Sequence, residues 1–422
     1  MFGNKFANYY YQIYAEKTQK LRKPRLGGEN AHLAFGLNIL RQSVVINERM
    51  QLIISKTTKD MIKKVIIILA VFAASAIFAE KAHACTGITL TTTGGTTVPA
   101  RTIEWAGSDI GSQYVIVPRG YVQRSMTPDG DRRGMQFEAR YGYVGLAVAL
   151  PEYVVDGMNE AGLVAGLFYF PKYGGYEDYD EARRSTTISD FQLVSWILSR
   201  FSTVDEVREA IADVHVVAVD KRSSTVHWRV VEPSGKQIVI EIIDGKPVIY
   251  DNKIGVLTNS PSFDWHLTNL NNYINLQPGK VESNELGNLS MSSFGGGSGM
   301  LGLPGDFTPP SRFVRAAMFQ ATAPRLESSE ATVMQAFHIL NNFDISVGMQ
   351  FAKGEEIPDV PSATQWTVAS DISQRKIYYR TMYNSAVRCI DLGSINFGKV
   401  RYQWAPLDEV KKQSVEQIKI KK

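Results

Sequence analysis

The 422-residue chain has only two cysteines, Cys85 and Cys389. Two cysteines allow one disulfide at most, so no disulfide framework holds the fold, which has to rest on a packed core. Histidine is scarce too: six in all, none in an HExxH or other paired spacing. With two distant cysteines this leaves no zinc signature, and neither a metal nor a cofactor is expected. Gly297-x-Gly299-x-x-Gly302 matches a dinucleotide fingerprint in letters only; no strand pattern precedes it and no helix pattern follows, so it reads as a loop. An apolar run long enough for an ordinary membrane span of about 20 residues is lacking as well. Val65–Ala79 is uncharged over 15 residues and stops there.

That short run is what an export signal needs. Met61-Ile62-Lys63-Lys64 supplies a start and a positive n-region, and Ala82-His83-Ala84 is a small-x-small cleavage signature. Cutting after Ala84 makes Cys85 the first residue of a mature chain at the periplasm or exterior. Residues 1–60, with Tyr9, Tyr10, Tyr11, Tyr14 and a basic cluster from Lys17 to Arg25, read as an upstream extension. Residues 61–84 read as the signal peptide and 85–422 as a single folded domain, with no membrane span left after cleavage. Residues 1–84 carry 13 of the 46 Lys+Arg and 5 of the 42 Asp+Glu, which leaves 33 basic against 37 acidic residues, a formal −4. The basic excess therefore belongs to the leader, and nucleic acid is excluded as a partner on charge.

A cysteine at an N-terminus carries a thiol that can attack a carbonyl and an α-amine that can take the proton. Their ordinary values are about 8.5 and about 7.7–8.0, so a modest shift gives a thiolate beside a competent base at neutral pH. A lipidated Cys85 on an envelope protein without activity is the rival reading, although Ala82 and His83 match a lipoprotein signal poorly. An acylated amine cannot act as a base, so the two readings exclude each other.

Downstream, Thr86–Thr93 and Thr97–Trp105 predict a hairpin turned by Gly94-Gly95. Further strands are expected at Tyr114–Pro118, at Tyr141–Leu150, across Tyr153–Tyr169 with a turn at Asn159–Gly162, and between Val216 and Leu257. Helical spacing appears over Ile188–Arg200, Phe263–Ile274, Arg312–Ala321 and Glu330–Asn341. Thr203-Val-Asp-Glu206 is a capping box that opens a helix over Val204–Val214. Residues 275–307 are polar and Gly-rich, a long excursion. Gln365–Cys389 gives closing strands, with Cys389 as a small buried hydrophobe, and the mixed-charge tail from Leu407 suits a short surface helix. Strands, a helix pair, strands, helices and strands in that order fit a layered α+β domain rather than a parallel doubly wound sheet. His215, His227, His266 and His338 read as packed or surface histidines.

Five segments in this order resemble the choloylglycine hydrolases, the family of bile salt hydrolases and penicillin V acylases. They are Cys85-Thr-Gly87, Ala100-Arg-Thr-Ile-Glu-Trp105, Asp156-Gly-Met-Asn-Glu-Ala-Gly-Leu163, Gly255-Val-Leu-Thr-Asn-Ser-Pro261 and Gly305-Asp-Phe-Thr-Pro-Pro-Ser-Arg-Phe313. Each alone is weak: Asn259-Ser-Pro261 is a turn, Phe168-Tyr-Phe170 a core strand, Asn159-Glu160 a hairpin corner. The resemblance implies the four-layer αββα sandwich of N-terminal nucleophile hydrolases and hydrolysis of a linear amide. It makes Cys85 the nucleophile with its own amine as base, Arg101 the arginine beside the thiol, and Asn259 with the Tyr169 backbone N–H the oxyanion hole. Arg312 becomes the arginine that steadies the site. Glu104 stands where the family usually has Asp near the amine. Adjacency makes Ile103, Trp105, Phe168 and Phe170 candidates for an apolar acyl pocket.

The implied substrate is a small acyl amide: penicillin V-like, a conjugated bile salt, or an N-acyl homoserine lactone. Tyr169 points toward penicillin V acylases and the 275–310 stretch toward bile salt hydrolases. Family members that keep such an excursion use it to clasp a neighbour, which implies a homotetramer.

Overall fold

The computed structural model describes residues 84–220 and 223–421. The expected upstream extension and all of the expected signal peptide except Ala84 lie outside the described residues. The Thr-rich hairpin is present: β1 (Ala84–Thr91) pairs antiparallel with β2 (Thr97–Glu104), with Cys85 opposite Ile103 and Gly87 opposite Arg101. Gly95 sits in the turn at φ +85°, a left-handed conformation that a Cβ makes costly. Every residue of the two strands is buried except Thr91, at the turn end of β1, so the hairpin that begins at Cys85 runs through the centre of the molecule rather than along its edge.

The hairpin belongs to a five-stranded sheet that continues from β2 through Thr364–Asp371, Lys376–Thr381 and Asn384–Asp391. The facing sheet has eight strands. Its spatial order is Lys246–Asp251, Gln237–Ile243, Val226–Val231, Val164–Tyr169, Val154–Asn159, Tyr143–Ala147, Gln113–Val117 and Gln403–Pro406, antiparallel throughout. Helices Pro309–Thr322 and Ser329–Leu340 cover the outer face of the smaller sheet; helix Leu193–Arg200 covers the larger. This is the expected αββα sandwich. Leu193, Val194, Trp196, Ile197 and Leu198 are buried at the larger sheet, and each such side chain contributes about 1.5–3 kcal/mol of burial. The capping box at Thr203–Glu206 forms in both directions, with Glu206 N–H donating to Thr203 Oγ1 at 3.2 Å and Thr203 N–H to Glu206 Oε2 at 3.1 Å.

Several local expectations change. The helix expected from Ile188 starts at Leu193, because Thr187–Ser189 is taken up in a parallel pairing with His215–Val217. The 275–307 excursion contains a hairpin, Asn284–Leu286 with Leu289–Met291. The described tail from Leu407 forms no helix: Val415, Ile418 and Ile420 are exposed, and a short segment without a packed face does not sustain one. Cys389 is exposed, not buried, because it lies on the edge strand of the smaller sheet. Among the described residues no helix is long and apolar enough to cross a membrane.

Candidate active site

Strand alternation sorts the residues at the start of β1. Cys85 and its cross-strand neighbours Ile103 and Arg101 face the larger sheet; Thr86 and Glu104 face the helices. The one free edge of β1 is closed by Leu257, whose backbone exchanges two hydrogen bonds with Gly87 at 2.7 and 3.1 Å. Gly87 has to be small: a Cβ there would lie 2.8 Å from Arg229 Nη1 and 2.9 Å from the Phe168 ring. The chain that makes this bridge continues directly to Asn259.

Cys85 is therefore held from both layers. From the sheet side, Arg101 Nη2 donates to Cys85 Sγ at 2.9 Å. Arg101 is fully buried; it is anchored on the carbonyls of Thr102, Val155 and Leu167 and lies 4.1 Å from the Phe168 ring centre. From the helix side, Arg312 Nη1 donates to the Cys85 carbonyl at 2.6 Å and to Thr86 Oγ1 at 2.8 Å, and its Nη2 donates to Asn259 Oδ1 at 2.6 Å. That same Oδ1 accepts from Cys85 N at 2.9 Å, and Asn259 Nδ2 donates to the Tyr169 carbonyl at 2.8 Å. Cys85 N is here a peptide nitrogen joined to Ala84, and it stands in for the α-amine that cleavage would release.

Burial, joined by the charge of Glu104, pushes the Cys85 thiol up; Arg101, the Tyr169 backbone N–H and Arg312 pull it down without offsetting that. The balance runs opposite to the lowered thiol value expected from the arginine alone. The resting group is a neutral thiol, so attack on a carbonyl needs a base to take its proton. Glu104 is also fully buried, which pushes its carboxyl up to about 8 against the pull of Arg312. Its Oε1 meets Thr364 Oγ1 at 3.5 Å and its Oε2 makes no hydrogen bond. Asn259, not Glu104, holds the nitrogen of Cys85.

The structure brings Cys85, Arg101, Asn259, Tyr169 and Arg312 into one connected cluster, with Glu104 on its helix side. The apolar candidates divide. Ile103 lies beside Cys85 in register and Trp105 is half-buried, with Nε1 donating to Ser108 Oγ at 3.1 Å. Phe168 and Phe170 have no exposed surface and are structural instead: Phe168 is stacked between the Arg101 and Arg229 guanidiniums, Phe170 on the His227 ring. Asn159 is a hairpin corner, as read, bonding the Ala161 and Leu163 N–H groups and the Leu198 and Phe201 carbonyls.

Sequence reasoning passed over Asp156, Arg229, His227, Glu241 and His266, all buried around the cluster. A signal was present: His227 and Arg229 alternate on one face of a strand, Val226–Val231, that is otherwise apolar apart from this pair. Burial raises Asp156 to about 6 against the charges of Arg101, 3.8 Å away, and Arg229, and lowers Arg229 to about 10 against the charge of Asp156.

Comparison with known proteins agrees with this geometry. Residues 85–404 match the model of the linear amide C–N hydrolases, choloylglycine hydrolase family. The chain is 33% identical over 320 residues to a bile salt hydrolase/transferase of Clostridium perfringens, covering 74% of this chain and 93% of that protein. To a penicillin V acylase of Pectobacterium atrosepticum it is 26% identical over 340 residues, 74% of this chain and 81% of that one. A solved conjugated bile acid hydrolase from Clostridium perfringens superposes with a TM-score of 0.68 at 30% identity, covering 79% of this chain and all of that one. A penicillin V acylase from Agrobacterium tumefaciens shares the fold, with a TM-score of 0.59 at 24% identity over 75% of this chain and 88% of its own. The chain belongs to the choloylglycine hydrolase family and is a linear amide C–N hydrolase with the N-terminal nucleophile hydrolase fold.

Proposed function

We propose that the protein is an exported amidase that uses Cys85, freed by cleavage after Ala84, to hydrolyse a small acyl amide. The observation that carries this reading is the double hold on one residue: Arg101 Nη2 at 2.9 Å from the sulfur and Asn259 Oδ1 at 2.9 Å from the nitrogen. Sulfur and nitrogen of the same residue are thereby held at the start of the described residues, as the reading requires of a thiol and an amine. In the reaction Sγ attacks the amide carbonyl and the thiol proton passes to the α-amine. The oxygen takes the negative charge between Asn259 Nδ2 and the Tyr169 N–H. The carbon–nitrogen bond then breaks as the ammonium returns its proton to the leaving amine, and water hydrolyses the acyl-thioester by the same steps.

The relatives in this family are named for bile salts and for penicillin V, and this chain carries a feature of each: Tyr169, and the long 275–307 excursion. A panel of glycocholate, taurocholate, penicillin V and a long-chain acyl homoserine lactone, with intact-mass analysis of the exported protein, tests the reading. Turnover of one acyl amide by a protein starting at a free Cys85 is expected; a lipid adduct on Cys85 would overturn it.

Self-association, as a homotetramer, is part of the proposal. The excursion exposes Leu286, Leu289, Met291, Phe294 and Leu301 on one stretch, more apolar surface than a hairpin leaves in water without use. Light scattering at micromolar protein should give the tetramer mass for the wild type, and a smaller one when Leu286, Leu289 and Phe294 are changed to Ser. A monomeric wild type would count against the assembly.

A further inference from the structure

Asn259 makes three contacts around Cys85, yet it lies outside any strand, so no sheet ladder sets its position. The polar groups of Thr258–Ser260 are anchored one by one instead. The Thr258 carbonyl meets His227 Nε2 at 3.1 Å, and the Asn259 carbonyl meets His266 Nε2 at 2.8 Å. Thr258 Oγ1 donates to the Pro309 carbonyl at 3.2 Å and Ser260 Oγ to the Pro171 carbonyl at 2.6 Å. A carbonyl oxygen only accepts, so each histidine carries a hydrogen on Nε2 and donates it.

Both rings are fully buried and locked. His227 stacks on Phe170 at 4.5 Å and His266 on Phe313 at 4.4 Å. Phe170 follows Tyr169 and Phe313 follows Arg312, so each platform is the immediate neighbour of a residue in the cluster. Glu241 ties the two histidines together. Its Oε1 lies 3.1 Å from His227 Nδ1 and also accepts from the Phe263 N–H at 2.9 Å, at the start of the helix that carries His266. Burial lowers His266 to about 4, which keeps the ring neutral over the working range, and its Nδ1 makes no hydrogen bond. The ring acts through one donor alone.

We infer that His227 and His266 are positioning residues for amide hydrolysis: by holding two successive carbonyls, of Thr258 and Asn259, they aim the Asn259 side-chain amide at the developing oxyanion. Neither ring touches the reacting atoms. The inference rests on the reading of Asn259 as an oxyanion donor. The contact of Nδ1 with Glu241 Oε1, together with the stacking on Phe170, fixes the orientation of the His227 ring while its Nε2 holds the Thr258 carbonyl.

The test is a series on the exported, cleaved enzyme with whichever panel amide the wild type hydrolyses: Asn259→Ala, His266→Leu, His266→Gln, His227→Leu and His227→Gln. Three quantities are read: kcat, KM, and the rate at which iodoacetamide alkylates Cys85. Alkylation is followed on the Cys85 peptide by mass spectrometry because Cys389 is exposed. Alkylation by displacement builds no oxyanion, so a positioning role separates it from hydrolysis. His266→Leu is expected to lower kcat by about tenfold to a hundredfold, with KM and the alkylation rate within about threefold. His266→Gln places an amide donor near the lost Nε2 and should recover most of that kcat. A kcat within about twofold of wild type in His266→Leu, or alkylation falling in step with kcat, would overturn the inference. So would a Gln variant no better than Leu. Should His266→Leu fail to fold, the His227 pair is read in the same way. An unaffected Asn259→Ala would sink the underlying reading of Asn259; a defective Asn259→Ala beside unaffected histidine variants sinks the positioning role alone.

Discussion

Cys85→Ser is expected to lower kcat/KM for amide hydrolysis by about a thousandfold or more while the protein stays folded. The size of the effect follows from the balance of forces on the sulfur. Burial holds Cys85 as a neutral thiol in spite of Arg101 at 2.9 Å, so its proton must leave during attack. In the proposed reaction the acceptor is an amine whose ordinary value is about 7.7–8.0, close to that of a thiol and several units below that of an aliphatic hydroxyl. The same transfer from serine is steeply uphill. The fold tolerates the change because the serine oxygen fills nearly the space of the sulfur and accepts from the same guanidinium. The checks are steady-state kinetics and thermal unfolding on one preparation. Wild-type turnover in a folded Cys85→Ser protein would show that another group attacks.

How much of this was legible in the sequence follows from what each signal depends on. The β1–β2 hairpin, the Val154–Asn159 and Val164–Tyr169 pair and the capping box at Thr203 are local patterns, and they formed within a few residues of where period and turn chemistry placed them. The helix at Ile188 started late and the Gln403–Pro406 strand went unseen, because both are decided by partners far along the chain: His215–Val217 in one case, Gln113–Val117 in the other. The site shows the same division. Cys85, Arg101, Asn259 and Arg312 are separated by up to 227 residues, and no spacing rule joins them; the family resemblance named them together. The supports beneath them carry no motif. Phe168 and Phe170 read as pocket residues by adjacency, although strand alternation sets them on the scaffold, and His227 and His266 read as ordinary packed histidines because a single buried ring gives no sign of which carbonyl it holds.

Glu104→Gln is expected to act in opposite directions on stability and on rate. Burial raises the Glu104 carboxyl from 4.5 to about 8 in the chain joined to Ala84. A raised carboxyl favours the fold in its protonated form. Its contribution is fully present below about pH 4.5 and is lost as pH rises through about 8. At about 1.4 kcal/mol per unit, that is on the order of 5 kcal/mol across the window, with no discount for exposure since the group is fully buried. Glutamine stays neutral throughout. Uncleaved Glu104→Gln should therefore match the uncleaved wild type near pH 4.5 and exceed it by a few kcal/mol at pH 8–9, measured by urea unfolding. Asp156, raised to about 6, and Asp190, raised to about 7, act equally in both proteins and cancel in the difference, whereas Asp344, also raised by burial, repels the Glu104 carboxylate and is part of the difference. On the proposed cleavage after Ala84 the sign of the neighbourhood would change, because a Cys85 α-ammonium would add a cation on the same side of the sheet start and stabilise the ionised form of Glu104. The mature wild type should accordingly lose less stability with rising pH than the uncleaved one. In the mature Glu104→Gln enzyme the amine loses that partner, and kcat/KM should fall by about tenfold, or 1.4 kcal/mol. Parallel pH–stability curves for uncleaved wild type and variant, together with equal rates in the mature forms, would mark Glu104 as a bystander on the helix side of the site.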